Sequence, residues 1–199
     1  KMIQINNLEE SQPYNTFYDL YKKAITNNVK CIDAILIASF HKINSEVNAR
    51  YVNLKFIENN NWIFFTNYNS PKAQEFESHN QITAIFFWRE INIQIRIKAN
   101  IKKMDHIYND EYFKTRQANK NALSISSDQS KQIDSYDKVL DNFNSVKSHS
   151  NLFQCPNYWG AYCFVPYYFE FWEGHESRIN KREVFEIADD IWKHSFLQP

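Results

Sequence analysis

Basic residues stand at the ends of predicted strands and the starts of predicted helices in this sequence. Lys72 falls in the first turn of a predicted helix that follows Thr66 and Ser70. A helix N-terminus presents free backbone amides and a partial positive charge, so these three residues are candidates to hold a phosphate. The other basic residues in such places are Arg50, Lys55, Arg116, Arg178 and Arg182. Any one of them alone is typical of a solvated surface, but together they favour an anion-binding site.

The segment "FWEGHESRINKR", residues 171–182, concentrates charge directly after an aromatic, strand-like run. Arg178 and Arg182 lie four residues apart, with Asn180 between them. Gly174 is one of only two glycines in the chain, and we expect it to permit the turn that brings these residues together. Because glycine is so scarce, the other tight turns are expected to use Asn, Asp, Ser and Pro.

The composition bounds the class of protein. The 23 basic and 23 acidic residues cancel, so no global field recruits nucleic acid or a membrane surface, and neither is expected as a partner. Cys31, Cys155 and Cys163 lack CxxC spacing, which favours a reducing compartment. The first residues lack the apolar core of a signal peptide, and no later run has the length of a membrane span. We therefore expect a soluble, cytoplasmic protein.

Several motifs that would indicate other chemistry are missing from the sequence. It contains no GxGxxG, no P-loop, no HExxH and no GxSxG, which argues against Rossmann dinucleotide binding, nucleotide triphosphate hydrolysis, zincin chemistry and an α/β-hydrolase nucleophile. The six histidines are scattered without ligand spacing, so no metal site is expected.

The elements that must position the basic residues follow from hydrophobic periodicity. Ser70 is a predicted N-cap with Pro71 at the first helical position, and Asp105 is a predicted N-cap of another helix. Residues 91–101 alternate Ile with polar residues, which predicts a strand with one buried face. The remaining predicted helices cover 14–27 and 134–149, and the remaining strands cover 33–40, 48–57, 61–66, 81–88, 161–166, 167–174, 182–188 and 190–196.

This order of elements favours a mainly β fold with flanking helices, in which an antiparallel sheet closes as a small barrel. The length predicts a single domain over residues 1–199, with 1–13 as a flexible N-terminal segment. Trp62, Trp88 and Trp192 are expected to supply core or interface packing and not chemistry.

Six strings occur in an order and at a spacing that resemble the pyridoxamine 5'-phosphate oxidase family. They are "ARYVNLKF", "FFTNYNSPKAQEF", "INIQIRIKA", "YFKTR", "DQS" and "FEFWEGHESRINKR". The resemblance implies an FMN-binding split antiparallel β-barrel that forms homodimers, with two flavin sites at the subunit interface. It also implies oxidation of pyridoxamine or pyridoxine 5'-phosphate to pyridoxal 5'-phosphate, with O2 as acceptor and H2O2 as product.

The resemblance also implies the residues of two neighbouring sites. The substrate would be bound by Lys55, Tyr112, Arg116, Lys120, Arg178 and Asn180, of which Arg178 and Asn180 lie over the reacting ring. Together with the helix N-terminus, the predicted FMN site comprises Arg50, Tyr51, Val52, Asn53, Leu54, Lys55, Phe65, Thr66, Ser70, Pro71, Lys72, Gln94, Gln129, Ser130, Trp172 and Arg182.

Four positions depart from the family pattern. Asn180 replaces the usual substrate-facing histidine and cannot titrate near neutral pH. Lys120 replaces a serine, Pro71 replaces a basic residue near the flavin phosphate, and Asn53 interrupts an apolar run. Two alternatives therefore stay open: a flavin oxidase of the same fold acting on another ring, as in phenazine biosynthesis, and a non-catalytic protein that binds FMN or a vitamer phosphate.

Overall fold

The computed structural model describes residues 2–199 and contains, within that range, ten strands and five α-helices. The helices are α1 (Gln12–Thr26), α2 (Pro71–Ser78), α3 (His106–Thr115), α4 (Ala118–Ser126) and α5 (Tyr136–His149). The strands are β1 (Gln4–Asn6), β2 (Ala34–His41), β3 (Glu46–Asn53), β4 (Phe56–Glu58), β5 (Asn61–Asn67), β6 (Gln81–Trp88), β7 (Ile93–Lys103), β8 (Trp159–Glu173), β9 (Lys181–Ala188) and β10 (Ile191–Phe196).

One sheet contains all of these strands, in the order β1-β4-β5-β8-β7-β6-β2-β3, with β9 paired to β8 and β10. Only β1 and β4 pair in parallel within the described residues. The bend between β3 and β4 connects the two ends of the order, because the Leu54 amide donates to Asp33 O and the next amide, of Lys55, donates to Ile63 O, each at 2.8 Å. The sheet therefore curls back on itself, in agreement with the predicted barrel.

The core inside the curled sheet is aromatic. Phe17 of α1 lies against Trp62, with ring centroids 4.6 Å apart, and against Trp88 at 6.0 Å. Trp62 and Trp88 are at most 2% exposed, and Trp192 packs against the same cluster. All three tryptophans therefore have the packing role predicted for them, because large rings supply much buried apolar area.

Strand β7 shows how alternation separates two faces. Its isoleucines, Ile93 to Ile101 at every second position with Ala99, are buried in the core, whereas Gln94, Arg96 and Lys98 between them point to the other face. Since side chains alternate across a strand, Gln94 lies on the outside of the barrel wall. The same outward face continues onto β8 and β9.

Three predicted elements have different bounds in the structure. The predicted strand 48–57 breaks at Leu54 and Lys55, because the Leu54 amide bonds Asp33, just before β2, and the Lys55 amide bonds Ile63 of β5. The single predicted helix after Asp105 is two helices, since Arg116 and Gln117 adopt extended dihedrals. The two strands predicted over 161–174 are one strand, β8, which pairs first with β5 and then with β9.

Part of the N-terminal segment 1–13 has a defined place in the sheet. Strand β1 lies beside β4, and the Gln4 amide donates to Lys55 O at 2.9 Å. Helix α1 begins at Gln12, with Ser11 as its N-cap residue. The flexibility expected of this segment stays a prediction.

Two further features concern the described residues as a whole. No helix within residues 2–199 is long and apolar enough to cross a membrane, and no group of His, Cys, Asp or Glu there could hold a metal ion. Cys31, Cys155 and Cys163 are free thiols.

Candidate functional site

A cavity of about 750 Å³ opens where the β3–β4 bend, the end of β5, the start of α2 and the break between α3 and α4 meet. Its volume is in the range that binds organic cofactors and substrates. Predicted flavin residues and predicted substrate residues both line it. They are Tyr51, Val52, Asn53, Lys55, Phe65, Thr66, Lys72, Tyr112, Arg116, Lys120 and Gln129.

Lys72 places a buried positive charge in the wall of this cavity. The residue is only 8% exposed, and its Nζ lies 3.3 Å from both Thr66 Oγ1 and Ser70 Oγ. Lys72 forms no salt bridge with any carboxylate of residues 2–199. Burial lowers the pKa of Lys72, nearby Arg50 lowers it further, and Glu75 partly opposes them. A buried ammonium surrounded by hydroxyls fits an external anion, because the anion would offset the cost of its burial.

The N-terminus of α2 is built as the sequence predicts. Ser70 is the N-cap residue and Pro71 occupies the first turn. The Ser70 hydroxyl does not cap the helix but donates to Asn67 O at 2.7 Å, while Ser70 itself is fully buried. The first amides of α2 and Lys72 therefore share one end of the helix, where the partial positive charge favours an anion.

Arg50 lies beside this group but is engaged by the protein. One of its terminal nitrogens is 2.7 Å from Glu75 Oε2, and the other donates to Ser39 Oγ at 2.6 Å. Glu75 is 2% exposed and also accepts a hydrogen bond from the Ser39 hydroxyl. Arg50 does not line the cavity, so this network holds its guanidinium behind the wall.

Two other predicted flavin residues also lie outside this cavity. Leu54 is fully buried in the core, and Ser130 lines a smaller neighbouring cavity of about 330 Å³.

An aromatic stack forms another wall of the cavity. Phe65 is stacked on Tyr112 with centroids 4.0 Å apart and on Trp159 at 5.0 Å, with interplanar angles of 22° and 10°. Phe56 meets Tyr112 edge-on at 5.3 Å. Flat apolar surfaces of this kind suit a planar ring ligand.

A second cation, Arg116, stands at the break between α3 and α4. Its guanidinium lies over the Trp159 ring at 4.3 Å and donates to Asn121 Oδ1 at 3.0 Å and to Ser124 Oγ at 3.1 Å. Burial lowers the pKa of Arg116, and Arg116 forms no salt bridge within residues 2–199. Its charge is therefore available to a ligand in the cavity.

Lys55 and Lys120 complete the basic lining and differ in their surroundings. Lys55 Nζ lies 3.0 Å from Asp33 Oδ2, and the Asp33 side chain is 8% exposed. Lys120 is exposed, on the first turn of α4. Lys55 therefore meets the cavity as half of an ion pair.

Gln94, Trp172 and Arg182 lie side by side on β7, β8 and β9 as direct cross-strand partners. None of the three lines the cavity. Arg182 Nε donates to Glu170 Oε1 at 2.8 Å, and Arg96 Nε donates to Glu170 Oε2 at 3.0 Å. Burial alone would raise the pKa of Glu170, but the hydrogen bonds from the two arginines lower it below its usual value. Within one chain these predicted flavin residues thus form a separate group on the outward face of the sheet.

The loop between β8 and β9 carries Arg178 and Asn180. Arg178 is exposed and adopts a φ of 61°, and Asn180 Oδ1 accepts the His175 amide at 3.0 Å. The expectation for Gly174 was incomplete: its φ is not positive, but a Cβ there would lie 2.1 Å from the Asn92 side chain. A Cβ at Gly174 would therefore require the exposed Asn92 side chain to move, and the left-handed residue of this loop is Arg178. Neither Arg178 nor Asn180 lines the cavity of the same chain.

Seven lining residues were not predicted: Met2, Gln4, Asp33, Phe56, Thr115, Gln117 and Trp159. Phe56 is the last residue of the string "ARYVNLKF", and Trp159 lies two residues before the predicted strand 161–166, so their neighbourhood was visible in the sequence. Asp33 gave no such indication, because a lone acid at the start of a strand is usually solvated.

Comparison with known proteins identifies the family. The family model described as "Pyridoxine 5'-phosphate oxidase C-terminal dimerisation region" matches residues 159–199, which span β8 to β10. A pyridoxine/pyridoxamine 5'-phosphate oxidase from Leptospira interrogans is 32% identical over 195 residues, covering 95% of this chain and 89% of that protein. The chain belongs to the pyridoxine/pyridoxamine 5'-phosphate oxidase family. Another family member, from Trichormus variabilis, is 30% identical over 193 residues and 90% of its length.

Solved structures agree with this family at the level of the fold. The structure of PhzG from Burkholderia lata, in complex with tetrahydrophenazine-1-carboxylic acid, has a TM-score of 0.89 at 22% identity and covers 95% of this chain and 93% of that one. A pyridoxamine 5'-phosphate oxidase-related, FMN binding protein from Nostoc punctiforme has a TM-score of 0.77 at 12% identity, covering 96% and 99%. The resemblance to the oxidase family and the predicted FMN-binding split-barrel fold are thus both confirmed.

Proposed function

We propose that this family member is an FMN-dependent oxidase that converts pyridoxamine or pyridoxine 5'-phosphate into pyridoxal 5'-phosphate, with O2 as acceptor. The observation that carries the proposal is the presence of a buried cation and a half-buried cation in one cavity. Lys72 and Arg116 both line it, and neither forms a salt bridge within residues 2–199. A phosphorylated cofactor beside a phosphorylated substrate requires two such charges, because each phosphate binds best to charge-assisted donors.

The residues of the cavity fit FMN at one end. Lys72, Thr66, Ser70 and the amides at the start of α2 would hold its phosphate, since they form a buried cationic cradle at a helix N-terminus. Phe65 and its aromatic neighbours supply apolar surface for the flat ring. Arg50 would act from behind this cradle, where Glu75 and Ser39 fix its position.

Substrate phosphate would bind at the other cationic end. Arg116 is fixed there by Asn121, Ser124 and the Trp159 face, so its donors are already oriented. Tyr112 and Lys120 line the cavity beside it. Orientation of this kind lowers the entropic cost of bringing the reacting carbon to the cofactor.

The protein is proposed to act as a homodimer, with each cavity completed by a second copy. Gln94, Trp172, Arg182, Arg178 and Asn180 lie outside the cavity of their own chain. The dimerisation region described by the family model spans β8 to β10, which carry Trp172 and Arg182. A second copy would therefore bring these residues to the cavity of the first, and the loop of Arg178 and Asn180 would cover the substrate and exclude water.

FMN held by these residues would supply the hydride-transfer and O2-reducing chemistry. The amine substrate, water and O2 then give the aldehyde, ammonia and H2O2, whereas the alcohol and O2 give the aldehyde and H2O2. The chain's own residues bind the two phosphates, orient the substrate ring and close the site.

A related oxidase activity on another ring is the second candidate. It is favoured by Asn180, whose side-chain oxygen is occupied by the His175 amide within its own loop. With one lone pair of its oxygen so engaged, the amide keeps both donors of its NH2 group for the substrate, which favours a hydrogen-bond acceptor on the ring.

The test is an absorbance spectrum of the purified protein before and after anaerobic addition of pyridoxamine 5'-phosphate, with unphosphorylated pyridoxamine as control. We expect a bound flavin that the phosphorylated substrate bleaches, with colour and H2O2 returning on admission of O2. A flavin that neither phosphorylated vitamer bleaches would refute the proposal. Bleaching by another ring compound would then support the second candidate, and bleaching by none would indicate binding without catalysis.

A further inference from the structure

The substrate end of the cavity contains a carboxylate. Asp33 lines the cavity, is only 5% exposed, and its Oδ2 lies 3.0 Å from Lys55 Nζ. The residue is held firmly, because it directly precedes β2 and its carbonyl accepts the Leu54 amide at 2.8 Å. A fixed anion in a cavity proposed to bind anions requires an explanation.

The carboxylate changes what Lys55 offers to a ligand. The Lys55 side chain is 26% exposed, so its ammonium is within reach of the cavity, yet one of its three donors is directed to Asp33. A ligand phosphate must therefore compete with Asp33 for Lys55. Arg116, which forms no salt bridge within residues 2–199, has no such competitor.

We propose that Asp33 limits phosphate affinity at the Lys55 side of the cavity by holding the Lys55 ammonium. This inference rests on the proposed function and deepens it. Substrate and product carry the same phosphate, so Asp33 lowers the affinity for both equally. Weakened uniform binding of this kind raises KM and spares the chemical step, and it also lets the phosphorylated product leave.

A purely structural ion pair would behave differently. If the pair served only stability, removing the Asp33 charge would destabilise the fold and leave ligand affinity unchanged or weaker. If Asp33 restrains Lys55, the same change makes the ligand bind more tightly. The sign of the change in affinity therefore separates the two roles.

The experiment compares wild type, Asp33→Asn, Lys55→Gln and the double variant, all loaded with FMN, by calorimetric titration with pyridoxal 5'-phosphate and with inorganic phosphate. We expect Asp33→Asn to lower the Kd of pyridoxal 5'-phosphate about tenfold, equal to about 1.4 kcal/mol. In the Lys55→Gln background the same change is expected to alter the Kd by less than about threefold, because the competition is gone. KM should fall with Kd in Asp33→Asn, while kcat stays at the wild-type value, or falls below it if product release limits turnover.

Asp19→Asn is a matched control, because Asp19 also pairs with a lysine, Lys22, at 2.8 Å but on the exposed surface of α1. It should leave both Kd values unchanged. Asp33→Ser removes the same charge and serves if Asp33→Asn does not fold.

Unchanged or weaker binding of both probes to the Asp33 variants would overturn the inference. So would a fall in Kd that is equally large in the Lys55→Gln background, because it would indicate direct repulsion between Asp33 and the phosphate. These results are independent of flavin bleaching in the wild type. A wild type that is bleached by pyridoxamine 5'-phosphate but does not respond to Asp33→Asn refutes the inference alone. If pyridoxamine 5'-phosphate does not bleach the wild type but Asp33→Asn binds phosphate more tightly than the wild type does, the proposed function alone is refuted.

Discussion

Replacing Lys72 by Met tests the assignment of the cofactor phosphate. The side chain keeps its length and apolar stem but loses the ammonium that lies 3.3 Å from Thr66 Oγ1 and from Ser70 Oγ. We expect the variant to bind FMN much more weakly than the wild type and to fold as well as the wild type. FMN affinity should fall while the stability of the apo protein does not, because the charge serves the ligand and not the apo fold.

The magnitude follows from the surroundings of Lys72. A hydrogen bond to a charged group contributes about 1.5–3 kcal/mol, which corresponds to a loss of about 10- to 150-fold in FMN affinity. Within the described part of the chain, the hydrogen bonds of the 8% exposed ammonium all go to hydroxyls. Burial of such a charge carries a desolvation cost, so the apo variant should be at least as stable as the wild type.

The assay is quenching of FMN fluorescence on titration with apo protein, together with urea unfolding of both apo proteins. Lys23→Met, on the exposed surface of α1, is the matched control and should change neither quantity. A Kd within about threefold of wild type for Lys72→Met, or a clear loss of apo stability, would refute the reasoning.

The pH dependence of the same site is a further check. The pKa of Lys72 in the folded protein lies below its ordinary value of 10.5 because of burial and Arg50. Between the folded and unfolded pKa values the unfolded chain binds more protons, so this residue makes apo stability rise with pH in that window. FMN affinity should fall over the same window, because the phosphate requires the protonated form. Both slopes should be smaller in Lys72→Met than in the wild type.

Three other substitutions test neighbouring parts of the site. Glu75→Gln removes the buried partner of Arg50. Because Arg50 is partly exposed, the substitution should lower the free energy of unfolding by about 1–3 kcal/mol. Urea titration measures this change, and Glu77→Gln, at an exposed position, is the control. Arg178→Ala should lower kcat/KM for pyridoxamine 5'-phosphate while FMN stays bound, and release of FMN would show that the division between flavin and substrate residues is wrong. Asn180→His should raise oxidation of pyridoxine 5'-phosphate in an oxygen-uptake assay, and an unchanged rate would argue against that vitamer as the substrate.

Local features of the structure were predictable from the sequence. Strand β6 has the predicted bounds, and α2 begins with the predicted Ser70 and Pro71. Asp105 caps α3 by accepting the Ile107 amide at 2.7 Å. Among residues 2–199, Asn, Asp and Ser provide eight of the ten with positive φ, as the scarcity of glycine implied: Asn7, Asn28, Ser45, Asn59, Asn92, Ser130, Asp189 and Asp190. These features depend on a few adjacent residues, and adjacent residues are what a sequence displays.

What the sequence by itself determined is therefore most of the helices and strands, the family and the residue types of the site. The tertiary structure decided which of these residues meet. Asp33 reaches Lys55 across 22 positions because Ala34 of β2 pairs with Asn53 of β3, and Arg50 reaches Glu75 across 25 because α2 packs against β2 beside β3. It also decided that Gln94, Trp172 and Arg182 lie away from the cavity that Lys72 and Arg116 line. Such juxtapositions depend on strand register and sheet closure, which are long-range properties that no local pattern specifies.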